Sequence, residues 1–115
     1  MTITRHGISS RMSQVVEHNG VVYLSGQIPN DWSLPIQKQT QEVLDNIDIQ
    51  LAVAGSNKSR LLSATIWLDD IREFDLMNEI WESWVDTKNP PARTTCETRL
   101  AAPGVRVEIT VVAAK

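Results

Sequence analysis

Apolar residues occupy every second position of "VRVEITVV", from Val105 to Val111, and a two-residue period predicts a strand with one apolar face. Near the other end, Asn19-Gly20 separates two β-branched runs. A two-residue type I′ turn demands that dipeptide, because both central residues need positive φ, so a hairpin is predicted from about Ser13 to Ser25. Gly26 and Pro29 end its second strand, and "NDWSLP" reads as a loop. From Ile36 to Ala54 the period changes to three and four. Val43, Leu44, Ile47, Leu51 and Ala54 form one stripe of an amphipathic helix, with Gly55 at its C-terminus. "RLLSATIWL" reads as a strand closed by Asp69 and Asp70. Asp70 and Glu73 then resemble a capping box for a second helix that buries Phe74, Met77, Ile80, Trp81 and Trp84. Pro90 and Pro91 stop that helix. A strand from Arg93 to about Leu100 and the turn "AAPG" precede the final strand.

The resulting order is β-β-α-β-α-β-β, with no repeat and a single domain over 1–115. Helices alternating with strands imply crossover connections, so the fold class is α+β, a two-layer sandwich with both helices on one face of a mixed sheet. Leu62, Ala64, Ile66 and Leu68 with Val105, Val107, Ile109 and Val111 suit the helix layer. The opposite side carries Leu61, Ser63, Thr65 and Trp67 with Arg106, Glu108, Thr110 and Val112. A tryptophan among small polar groups on a sheet face is typical of a subunit interface, so a homo-oligomer is expected.

Composition removes several alternatives. At 42% hydrophobic and 22% charged residues the chain is expected to fold, and 115 residues suffice for one core. A net charge of -3 without a Lys/Arg cluster argues against nucleic acid as a partner. No apolar run is long enough for a bilayer and the N-terminus has no signal-peptide core, so the expectation is cytoplasmic, with no membrane partner. His6 and His18 are far apart and Cys96 is alone, so neither a metal site nor an intrachain disulfide is expected.

The stretches "YLSGQIP", "GSNKSRLLSATIWLDDIREFDLMNEIWESWV" and "PARTTCETRL" followed by "VRVEITVVAA" together resemble the Rid/YjgF (RutC-like) family of imine and enamine deaminases. The similarity runs from about Ser13 to Ala113. The resemblance implies a chorismate-mutase-like fold and a cofactor-free homotrimer with a cleft at each subunit interface. It further implies that Arg93 grips the carboxylate of a 2-imino acid, Glu108 lies near the hydrolytic water, and Asn78, Ser25 and Gly26 line the cleft. Two positions depart from the family pattern. Met12 stands where active deaminases commonly have a tyrosine. Thr95, counted here among the substrate-binding residues, stands where many have a cysteine.

The chemistry of these side chains fits that implication. A guanidinium presents parallel N–H donors matched to a carboxylate, so Arg93 suits a small acid; a structural ion pair is the competing use of the same residue. Hydrolysis of an imine needs a positioned water and a proton for the departing nitrogen, which one carboxylate can serve. On the residues alone Glu97 and Glu108 are equal candidates, and the resemblance favours Glu108. Cys96 has no histidine partner and is expected to be a buried thiol, while Trp81 and Trp84 are expected to pack in the core. "GSNKS" follows a helix and lacks a phosphate cradle. The implied function is hydrolysis of reactive 2-imino or enamino acids to 2-oxo acids and ammonia, which protects pyridoxal-phosphate enzymes. The alternative is a trimer that binds or senses a small 2-oxo acid at Arg93 without turnover.

Overall fold

The computed structural model describes residues 2–115. Six strands, β1 (Thr4–His6), β2 (Val15–His18), β3 (Val21–Leu24), β4 (Leu61–Leu68), β5 (Ala92–Glu97) and β6 (Val107–Ala114), form one sheet in the order β1-β2-β3-β6-β4-β5. Helices α1 (Ile36–Val53) and α2 (Phe74–Trp84) pack on one face. The predicted α+β class and mixed sheet are therefore observed. Only β4 and β5 run parallel, because α2 carries the chain back across the sheet between them. The C-terminal β6 inserts between β3 and β4, antiparallel to both.

The hairpin turns where the sequence predicts, with φ of 52° at Asn19 and 76° at Gly20. The stripe of α1 is equally faithful: Val43, Leu44, Ile47 and Leu51 are fully buried against Ile66, Leu68, Val107 and Ile109. Burial of each such side chain is worth about 1.5–3 kcal/mol. Trp81 and Trp84 close the far side of the core with ring centroids 5.5 Å apart, and Trp84 Nε1 donates to Asp48 Oδ2 at 3.0 Å.

Five expectations need correction. The order gains a strand, β-β-β-α-β-α-β-β, because Thr4–His6 pairs with β2. Three residues are too short to show a period. What holds β1 is long-range: its ladder with β2 and the contact of His6 Nε2 with Glu17 Oε2 at 2.5 Å, a carboxylate that Lys115 Nζ also meets at 2.6 Å. The last strand before β6 ends at Glu97, not Leu100. A bulge between Leu61 and Ser63 shifts the start of β4, so Leu61 is buried and Leu62 is 50% exposed, the reverse of strict alternation. Asp70 caps a single 3-10 turn by accepting from the Arg72 N–H, while Glu73 turns to Arg106 instead of completing a box. Finally, Cys96 is exposed, not buried.

Buried Gln39 ties two loops to α1, the one before it and the one before β6. Its amide nitrogen donates to the carbonyls of Trp32, Leu34 and Gly104, and its oxygen accepts from the Arg106 N–H. Among the described residues none covers the face of the sheet opposite the helices. Ser63, Thr65, Trp67, Glu108, Thr110 and Val112 are half-buried there. The molecule is accordingly a slab, 43 × 37 × 20 Å.

Candidate active site

Strand β5 is the sheet edge, and Arg93 stands opposite Ala64, a core-facing residue of β4. The period of the strand therefore turns Arg93 toward the helix layer. Its guanidinium carbon lies 5.4 Å from the Trp81 ring centroid and 5.7 Å from that of Phe74, within cation–π range. Nη1 donates to Asn78 Oδ1 at 2.7 Å, so two of the predicted residues meet across β5 and α2. Among the described residues no carboxylate pairs with Arg93, and the rest of its donor fork has no protein partner. Burial beside the two rings pulls its pKa down, and the more distant Glu82 opposes this. An arginine nonetheless keeps its charge. Thr95, opposite Ile66, faces the same layer, and its hydroxyl is buried with no hydrogen-bond partner among the described residues. An unmet hydroxyl of this kind costs about 1–3 kcal/mol.

Glu108 belongs to the other face. It stands opposite Trp67 in the ladder between β4 and β6, and its carboxyl presses on Gly26. A Cβ built on Gly26 would fall 2.0 Å from Glu108 Oε2, so the glycine leaves the carboxyl the room it occupies. Around it, Ser25 Oγ donates to Gln14 Oε1 at 3.0 Å, and Gln27 Nε2 reaches Gln14 Oε1, Ser25 O and Ser25 Oγ at 3.1–3.2 Å. Glu108 itself takes no part in this network. Its carboxyl is half-buried with no partner among the described residues, and burial raises its pKa above the ordinary carboxylate value. Glu97, the rival, is already engaged: its Oε1 accepts from the Ile71 N–H at 3.0 Å at the entrance to α2.

The predicted residues thus fall into two groups, Arg93, Asn78 and Thr95 under α2, and Ser25, Gly26 and Glu108 on the open face. Glu108 aligns through Trp67 with Cys96, three residues beyond Arg93 and two strands away. With strands ~4.8 Å apart and a rise of ~3.3 Å per residue, the two backbones are separated by about 14 Å. Within one chain the guanidinium and the carboxyl cannot grip the same small acid. Met12 lies on the Gly26 side, 44% exposed, at the rim of a cleft of about 450 Å³ that also touches Gly26 and Gln27. Sequence reasoning missed Gln14, which sits in no motif, and assigned Trp81 and Phe74 to packing alone. An aromatic pair under an arginine shows only once β5 is docked beside α2.

No three His, Cys, Asp or Glu residues among those described could hold a metal ion, and no helix is long and apolar enough to cross a membrane.

The sequence profile of the family described as Endoribonuclease L-PSP matches residues 3–115. A RutC family protein from Haemophilus ducreyi is 43% identical, covering 97% of this chain and 96% of the relative. The RutC family protein YoaB of Escherichia coli is 41% identical with 99% of each chain covered. A crystal structure of a YjgF family member from Neisseria meningitidis superposes with a TM-score of 0.97 at 41% identity, covering 100% of this chain and 96% of that one. A Rid family protein from Yersinia pestis superposes with a TM-score of 0.87 at 35% identity, covering 94% and 90%. With the fold, the length and the family motifs all matching, this chain belongs to the Rid/YjgF/RutC family.

Proposed function

We propose that the protein hydrolyses reactive 2-imino or enamino acids to 2-oxo acids and ammonia, in clefts between the copies of a homotrimer. The observation that carries this reading is the half-buried guanidinium of Arg93, which is held by Asn78 and two aromatic rings and has no carboxylate partner among the described residues. A structural ion pair would have consumed that fork. Left open, it suits the carboxylate of a small acid. Support for a site shared between copies comes from the placement of Arg93 and Glu108 on opposite faces, and from the uncovered sheet face and edge strand.

In such a cleft the substrate carboxylate sits on Arg93 of one copy, and the imine carbon faces Glu108 of the next. Glu108 accepts a proton from water as the oxygen bonds to the imine carbon and the C=N π pair moves to nitrogen. It passes that proton to the nitrogen to give a carbinolamine, and then carries the carbinolamine hydroxyl proton to the amine as the carbonyl forms. The C–N bond breaks in the same step, ammonia leaves and a 2-oxo acid remains. A carboxyl whose pKa is raised by burial is suited to both transfers, because it gives and takes a proton closer to neutral pH than an ordinary glutamate.

The test is an assay in which an amino-acid oxidase generates 2-imino acids in the presence of semicarbazide, with wild type compared to Arg93→Ala. Wild type is expected to suppress semicarbazone formation, and the variant to lose this effect. If neither protein suppresses it across several amino acids, the deaminase reading fails. Binding of 2-oxo acids without turnover then takes its place.

A further inference from the structure

The cleft of about 450 Å³ beside Gly26 is not used by the chemistry above, although it begins one residue from the Glu108 carboxyl. Its size is that of a small-molecule site. Met12, Ile28, Pro29 and Trp32 supply apolar walls, and none of its described lining residues carries a charge. The polar groups nearby are largely turned inward on each other. Gln14 Oε1 is taken by Ser25 and Gln27, and Asn46 Nδ2 donates to Ile28 O and Asn30 Oδ1.

The walls are also fixed before any ligand arrives. Asn46 and Glu42 of α1 hold the backbone of Ile28, Asn30 and Asp31. The Trp32 indole donates to Pro29 O at 2.9 Å, and Ser9 holds both the N–H and the carbonyl of Met12. A recess of mixed, uncharged lining that is already shaped gains from burying CH₂ groups against its apolar walls and spends little on ordering. An ionised side chain placed there would give up part of its water and meet no counter-charge among the described lining residues.

We propose that this cleft receives the substrate side chain and selects extended, uncharged apolar 2-imino acids over short or acidic ones. The proposal rests on the site reading of the preceding section, which it deepens by naming the substrate class. Stable 2-oxo acids make the test independent of turnover. Isothermal titration with pyruvate, the 2-oxo acid of leucine, and 2-oxoglutarate is expected to give the leucine-derived acid an affinity about tenfold or more above pyruvate, with 2-oxoglutarate no better than pyruvate. Ile28→Lys, at a side chain already 36% exposed, is expected to reverse the order in favour of 2-oxoglutarate. Met12→Ala, at an equally accessible position, is expected to narrow the leucine preference several-fold without moving pyruvate, and serves if the lysine variant does not fold. Equal affinity for all three acids in wild type, lost in Arg93→Ala, overturns the side-chain cleft and leaves the Arg93 site standing. No binding of any acid to wild type overturns both. A clear leucine preference in a protein that turns nothing over keeps the cleft and removes only the catalysis.

Discussion

At Gly26 the missing side chain lets the Glu108 carboxyl stay where it is, since a Cβ there would lie 2.0 Å from its Oε2 and push it aside. Gly26→Ala is expected to leave the thermal stability close to wild type and to reduce imine hydrolysis at least tenfold, because the carboxyl must swing away; turnover at the wild-type rate would show that its position is immaterial. The sequence could not separate this role from that of a strand-ending turn, because both readings ask only for a glycine. The pKa of Glu108 supplies a second prediction. Burial raises it in the folded chain, so the folded state binds the proton more tightly than the unfolded state does. The associated stability is present below the unfolded value of about 4.3 and is lost as pH rises through the folded value. Glu108→Gln is therefore expected to raise Tm at pH 7, with the difference shrinking below about pH 4 in thermal scans. Equal Tm differences at both pH values would contradict the burial account. Residue identity alone misjudged Cys96, whose exposure follows from its place on an edge strand, facing away from the helices.

Among the elements, the loops around the site depend on α1 more than on their own sequences. Gln39, fully buried, shares its amide among Trp32, Leu34, Gly104 and Arg106. Gln39→Leu removes these bonds and leaves several buried backbone groups unmet, so a loss of roughly 2–4 kcal/mol is expected in urea denaturation. A change below ~0.5 kcal/mol would mean that water replaces the glutamine. This hub was invisible in the sequence, where Gln39 reads as one more polar helix position and its partners lie up to 67 residues away. Periodicity, by contrast, located both helices and the hairpin. The capping motif at Asp70 was half right. Glu73 reached Arg106 because the end of β6 lies within range of that turn, a tertiary competitor that no local pattern reports.

For the whole molecule, the separation of Arg93 from Glu108 makes a quantitative demand on assembly. If each site takes its arginine from one copy and its glutamate from the next, Arg93→Ala and Glu108→Gln chains are each inactive alone. Unfolded together in equimolar amounts and refolded, they are expected to recover about a quarter of wild-type activity, the chance that two intact halves meet in a ring. No recovery would place the chemistry within one chain and contradict the shared cleft. Sedimentation of the mixture checks that assembly has occurred. The uncovered sheet face, with Trp67 and Glu108 half-buried in it, is the surface that such assembly would use.

What the sequence determined by itself was everything carried by short-range pattern: the apolar stripes of α1 and α2, the Asn19-Gly20 turn, the alternation of β6 and the family motif around Arg93. These follow from two- and four-residue periods and from backbone preferences, which neighbours in the chain suffice to express. Only the tertiary structure decided the pairing of Thr4–His6, the bulge that exchanged Leu61 with Leu62, the aromatic seat of Arg93, and the opposed faces of Arg93 and Glu108. Each of these depends on which strand lies beside which, and strand order is set by the packing of the whole core.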